Sequence, residues 1–107
     1  MNILDNNITA INELCEKYKV KTLHTFGSVL TEKFNEESDI DLIVDFENQP
    51  VEDYVENYYD LKFSLENILQ RSVDLLEEKA IKNPYFKQNI DQHKKLLYPL
   101  SFYSCVL

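Results

Sequence analysis

The chain has 107 residues, 44% hydrophobic and 28% charged, a balance that suits one small globular domain over residues 1–107 rather than a disordered or membrane-embedded chain. Eleven Lys and Arg against 19 Asp and Glu leave a net charge of −8, which argues against a protein that coats nucleic acid through surplus cations. Gly27 is the only glycine, so multi-glycine phosphate loops and dinucleotide fingerprints are excluded.

Ile8, Ile11, Leu14, Cys15 and Tyr18 recur at helical spacing and predict an amphipathic helix over 6–18. Val20 to Phe26 is β-branched and aromatic enough for a short strand that stops at Gly27-Ser28. A helical turn at Val29-Leu30 and a polar loop through Ser38 are expected next. Asp39 to Phe46 is the clearest strand: Ile40, Leu42, Val44 and Phe46 alternate with Asp39, Asp41, Ile43 and Asp45. Residues 51–70 carry an apolar repeat of long-helix period, and Ser72 to Leu76 forms a second short apolar run interrupted by Asp74. Asn83 before Pro84 predicts a helix start, continued by Tyr85, Phe86, Ile90, His93, Leu97 and Tyr98 until Pro99. The core is expected over about 8–98, with 99–107 as a C-terminal tail that is poorly ordered or touches a partner. The order of elements implies an α/β (α+β) domain, a small β-sheet packed with helices.

No stretch approaches the roughly 20 apolar residues of a membrane span, and the first residues lack the charged-then-apolar pattern of a secretory leader. Cys15 and Cys105 lie far apart without Cys-x-x-Cys spacing, so neither a disulfide framework nor a zinc site is expected, and a cytoplasmic location is.

Asp39 and Asp41 are two apart on a strand and therefore face the same way, close enough to share a divalent ion. Two adjacent carboxylates repel unless a cation neutralises them. The plain alternative is a strand whose second face lies in water. Asp74, pointing away from Val73 and Leu75, would join the pair if its strand is a neighbour; otherwise it is a solvent-facing acid on an edge. Three carboxylates with phosphate oxygens and water would suit Mg²⁺. The Gly27-Ser28 turn offers backbone N–H groups and a hydroxyl for phosphate oxygens, or is simply a turn that needs a glycine. His24 is expected to be a packed or hydrogen-bonded histidine, and Asp45, which continues the Asp39–Asp41 face, an acid that supports the ligands from behind them or is solvated. Lys94-Lys95, Lys79 and Lys82 are expected to be solvated. Tyr58 and Tyr59 cannot both face inward, so aromatic surface is left for a partner.

Phe26-Gly27-Ser28, ten residues, then Asp39-Ile40-Asp41-Leu42 and a later strand acid resemble the nucleotidyltransferase signature of the polymerase-beta-like superfamily. Length and element order are similar to the minimal nucleotidyltransferase (MNT) branch, antitoxins of HEPN/MNT toxin–antitoxin pairs. The resemblance implies a palm-like nucleotidyltransferase fold with Asp39, Asp41 and Asp74 as catalytic metal carboxylates. It also implies Gly27 and Ser28 as nucleotide-phosphate contacts, Mg²⁺ as cofactor and ATP as substrate. The implied activity is transfer of AMP to a HEPN-domain toxin, neutralising it. Two rivals stay open: a weak or inactive antitoxin that works by binding its toxin, and a nucleotidyltransferase acting on a small molecule such as an aminoglycoside. The residues after Gly27-Ser28 are Val29-Leu30-Thr31-Glu32, where many members of the branch carry Arg and other small or basic residues.

Overall fold

The computed structural model describes residues 2–27 and 39–99. Two short helices open it, α1 (Asn2–Asn6) and α2 (Ile8–Lys17), followed by β1 (Val20–Phe26) and β2 (Ile40–Phe46). The long α3 (Val51–Leu69) then leads to β3 (Val73–Glu77), a 3₁₀ turn (Glu78–Ala80), α4 (Pro84–His93) and β4 (Lys95–Tyr98). The four strands form one sheet in the order β3-β2-β1-β4. β1 runs antiparallel to both β2 and β4, and β2 runs parallel to β3. A parallel neighbour requires a long crossover, and α3 supplies it. The sheet is therefore mixed and the class α+β, as expected.

One face of the sheet carries the core. Leu23 of β1, Ile40, Leu42 and Val44 of β2, and Leu75 of β3 are buried. They cluster with Ile11 and Cys15 of α2 and with Leu61, Leu65 and Leu69 of α3. Those α3 positions are four apart, so a single stripe of the helix meets the sheet. Phe46 and Tyr54 close one end edge-to-face, with ring centroids 5.0 Å apart. Burial pushes the Cys15 thiol up to about 12, so it stays a neutral core residue.

Two elements differ from the sequence expectation. The first helix is split at Asn7, whose amide Nδ2 donates to the Ile3 carbonyl at 2.8 Å, and the extra turn of α1 brings Leu4 into the core. The last helix stops at His93 rather than continuing to Tyr98: Lys94 has extended backbone angles, and residues 95–98 pair with β1 as β4. Without that pairing, β1 would expose a row of unpaired backbone groups. Asn12 of α2 fixes the new strand, its Nδ2 donating to the Leu97 carbonyl at 3.2 Å. The start of α4 is as expected, with Asn83 Oδ1 accepting from the Tyr85 and Phe86 N–H groups at 2.9 and 3.2 Å. No described helix is long and apolar enough to cross a membrane. The expected turn and loop over 28–38 lie outside the described residues, as does the tail from Leu100 to Leu107, with Cys105.

Candidate functional site

The opposite sheet face gathers the acids. In the parallel pair of β2 and β3, Asp41 stands directly across from Asp74. Strand neighbours are about 4.8 Å apart, so two residues in register on one face hold their side chains side by side. Asp39 is exposed and immediately precedes β2, two residues before Asp41. The strand entrance is clamped where the Ile40 N–H donates to the Ser72 carbonyl at 3.0 Å, which sets the register that matches Asp41 with Asp74.

Charge coupling follows from this placement. Burial raises the Asp41 carboxyl above the ordinary carboxylate value, and the Asp74 and then the Asp39 charges add to the rise. The negative field of the group is therefore concentrated on its least exposed member. Among the described residues no three His, Cys, Asp or Glu side chains converge into a ready-made metal cage. What the structure brings together is the Asp41–Asp74 pair, with Asp39 at the rim. An open arrangement of this kind fits a hard cation such as Mg²⁺, which keeps several waters and takes further oxygens from a substrate's phosphates.

β1 supplies the other wall. Phe26 pairs with Asp41 across the antiparallel ladder, and Gly27 follows with φ +81°. A Cβ built on residue 27 would fall closer than 3.0 Å to Asp41 Oδ2 and 3.3 Å from its Cγ. Glycine is favoured here by its left-handed backbone, and the Asp41 carboxylate occupies the space that a side chain would enter. Thr25 is fully buried, and its hydroxyl donates to the Asp41 carbonyl at 3.0 Å, holding the Asp41 backbone against the turn. The expected phosphate contact at Ser28 lies outside the described residues.

The surrounding side chains correct several smaller expectations. Asp45 is not solvated: its Oδ1 is buried and lies 3.5 Å from Lys79 Nζ. Lys94 is not a free surface cation either, meeting Asp91 at 3.0 Å and Glu78 at 3.7 Å, with Lys87 completing the cluster. His24 is half-buried, as expected of a packed histidine. Burial foremost, then the Lys94 charge, hold it below its ordinary value against the pull of Glu78 and Asp91, and its Nδ1 has no hydrogen-bond partner among the described residues. Phe26 meets Phe86 of α4 edge-on at 6.5 Å, so α4 shields part of this face.

Sequence reasoning missed two residues that shape the site, Thr25 and Tyr58. Tyr58 reaches from α3 to the open edge of β3, where its hydroxyl donates to the Leu75 carbonyl at 2.6 Å. Burial foremost, then Glu77, Tyr59 and Asp74, raise its phenol. Both residues act through backbone carbonyls, and a one-dimensional pattern carries no signal for such bonds.

A family model described as a nucleotidyltransferase domain matches residues 8–97. Two Methanocaldococcus jannaschii proteins named for protein adenylyltransferase activity are each 43% identical over 79 residues, covering 74% of this chain and 78% of theirs. The protein adenylyltransferase MntA of Thermococcus cleftensis is 34% identical over 71 residues, covering 66% of this chain and 69% of its own. Among solved structures, a minimal nucleotidyltransferase superposes with a TM-score of 0.73 at 27% identity, covering 86% of this chain and 90% of that one. The Shewanella oneidensis MNT antitoxin in complex with its tri-AMPylated HEPN toxin shares the fold at a TM-score of 0.62 and 19% identity, with 95% and 77% covered.

Proposed function

This chain belongs to the nucleotidyltransferase domain family, and from that premise we propose that it is a Mg²⁺-dependent protein adenylyltransferase that transfers AMP from ATP to a HEPN-domain toxin and so neutralises it. The observation that carries the proposal is the register of Asp41 on Asp74 beside a glycine whose side-chain space the Asp41 carboxylate occupies. Its relatives are named protein adenylyltransferases, and a structural neighbour is an MNT antitoxin complexed with an AMPylated HEPN toxin.

In this proposal Asp39, Asp41 and Asp74 are the residues that would hold Mg²⁺, and their mutual repulsion is the feature a cation relieves. The bound ion supplies charge neutralisation on the triphosphate and on the departing pyrophosphate. Gly27 would give phosphate oxygens a close approach to backbone N–H groups, and Ser28, which lies outside the described residues, would add its hydroxyl. Thr25 keeps Asp41 aligned through its carbonyl. The acceptor hydroxyl of the partner forms a bond to the α-phosphorus as the bond to the β-phosphate oxygen breaks, releasing pyrophosphate. The hydroxyl proton passes to a carboxylate oxygen, for which Asp74, exposed on edge strand β3, is the accessible choice.

Intact-mass spectrometry tests this directly. The cognate HEPN-domain toxin that the proposal requires, incubated with the chain, ATP and Mg²⁺, gains the mass of one or more AMP groups. The gain disappears with Asp39→Ala plus Asp41→Ala. No added mass with the wild-type chain, or an unchanged gain with the double variant, rejects the catalytic proposal. Neutralisation that survives the double variant favours an antitoxin acting by binding alone.

A further inference from the structure

Helix α3 buries one stripe and leaves another bare. Val51, Val55, Tyr59 and Phe63 recur every fourth residue and run along one side of the helix. Tyr59 is 51% exposed, Phe63 59% and Val51 74%. A run of large apolar groups along about three turns is more than the scattered exposure normal for a protein surface. The rings are already ordered: Tyr59 stacks on Phe63 at 6.2 Å, and Tyr58 meets Tyr59 edge-on at 5.1 Å. Pre-ordered aromatics lose little freedom when covered.

Charge says what kind of surface would cover them. Glu52, Glu56 and Asp60 are exposed and follow the stripe along its outer side, and Lys62 is the only cation in α3. The complementary face is apolar at its centre and rich in Lys or Arg at its edge. A groove of about 260 Å³ continues the stripe, walled by Tyr54, Val55, Tyr58, Tyr59 and Glu77. It lies between α3 and the edge of β3 that no described strand pairs, where Tyr58 bonds the Leu75 carbonyl, one residue from Asp74.

We propose that the Val51-Val55-Tyr59-Phe63 stripe of α3, with the groove at the β3 edge, is the docking surface for a basic-rimmed apolar face of the HEPN-domain partner, placing that partner's acceptor hydroxyl over the β3 edge beside Asp74. This rests on the adenylyltransferase reading and adds to it the direction from which the acceptor arrives. It accounts for the aromatic exposure and for the acid rim with one occupant.

Calorimetric titration against the purified cognate HEPN-domain toxin that the proposal requires tests it. Two variants are used, Tyr59→Ala with Phe63→Ala, and Glu56→Lys with Asp60→Lys; all four residues are exposed, and unchanged thermal melting confirms folding. The aromatic variant binds about 100-fold more weakly than wild type, as expected for two central anchors. The charge variant binds about tenfold more weakly, with a flatter salt dependence. If wild type binds and both variants bind equally well, the docking surface is refuted while the proposed function stands. If wild type itself does not bind the HEPN-domain protein, the partner reading fails and the docking surface fails with it. A wild-type dimer in sedimentation that the aromatic variant abolishes assigns the stripe to a second copy of this chain and likewise overturns the proposal.

Discussion

Replacing Gly27 by Ala should damage chemistry more than folding, and the structure says why. At φ +81° an L-residue loses roughly 1–2 kcal/mol relative to its ordinary conformations. At about 4–8 °C per kcal/mol for a domain near this size, melting should fall by about 5–15 °C. The steric part behaves differently. The new Cβ meets the end of the Asp41 side chain rather than backbone, so the carboxylate can swing aside at little further cost to stability. The swing moves Asp41 by on the order of 1 Å from its place opposite Asp74, and a displacement of that size at a reacting group costs about 100-fold in rate. The assay pairs thermal melting with AMP transfer from labelled ATP, and adds Gly27→Ala in an Asp41→Ala background. The rate loss should vanish into the background of the double variant while the loss in melting temperature persists. Transfer within about twofold of wild type by Gly27→Ala would refute the reasoning, because Asp41 would then not need the space that the glycine leaves.

Two more perturbations probe the same framework. Asp41→Asn should raise the stability of the metal-free chain while abolishing transfer. The folded-state value of Asp41 lies above its ordinary one, so the proton-linked stability it contributes is fully present below pH 3.8 and is lost as pH rises through the raised value. Asn cannot ionise, so the gap in melting temperature between variant and wild type should widen from acid to neutral pH, and millimolar Mg²⁺ should narrow it by stabilising wild type alone. A gap that does not change with pH would remove the repulsion argument. Tyr58→Phe leaves the Leu75 carbonyl at the β3 edge without its donor and should cost about 1 kcal/mol in urea denaturation, with an unchanged denaturant slope. No measurable loss would mean the carbonyl is equally well served by water.

Most of the frame was legible in the sequence because its signals are local and periodic. The alternation in Ile40 to Phe46 separates core from acid face residue by residue, and the burial of Ile40, Leu42, Val44 and Phe46 follows it. Ile43 departs from the simple picture: it points to the acid face and is nonetheless buried, because that face is not open water throughout. β4 was not legible, since Leu97 sits seven residues after Ile90 and so continues the helical period of α4. The choice between helix and strand was made by the unpaired edge of β1, a demand from elsewhere in the fold. The distribution of charge was the least legible part. Lys79 and Lys94 look like ordinary surface lysines in the chain, yet the turn after β3 and the end of α4 bring them to Asp45, Glu78 and Asp91. Asp39, Asp41 and Asp74 were marked by residue type and spacing; that Asp41 faces Asp74 directly depended on the register, fixed in space by the backbone bond between Ile40 and Ser72.

Diffraction from crystals of the chain grown with a non-hydrolysable ATP analogue and Mn²⁺ in place of Mg²⁺ tests the central claim most directly. An anomalous peak between the carboxylates of Asp41 and Asp74, within coordinating reach of Asp39, with the nucleotide phosphates against the Gly27 turn, is the predicted result. A nucleotide seated elsewhere, for example in the cavity of about 300 Å³ walled by Leu76, Ile81 and Phe86, with no metal at the three aspartates, would contradict it.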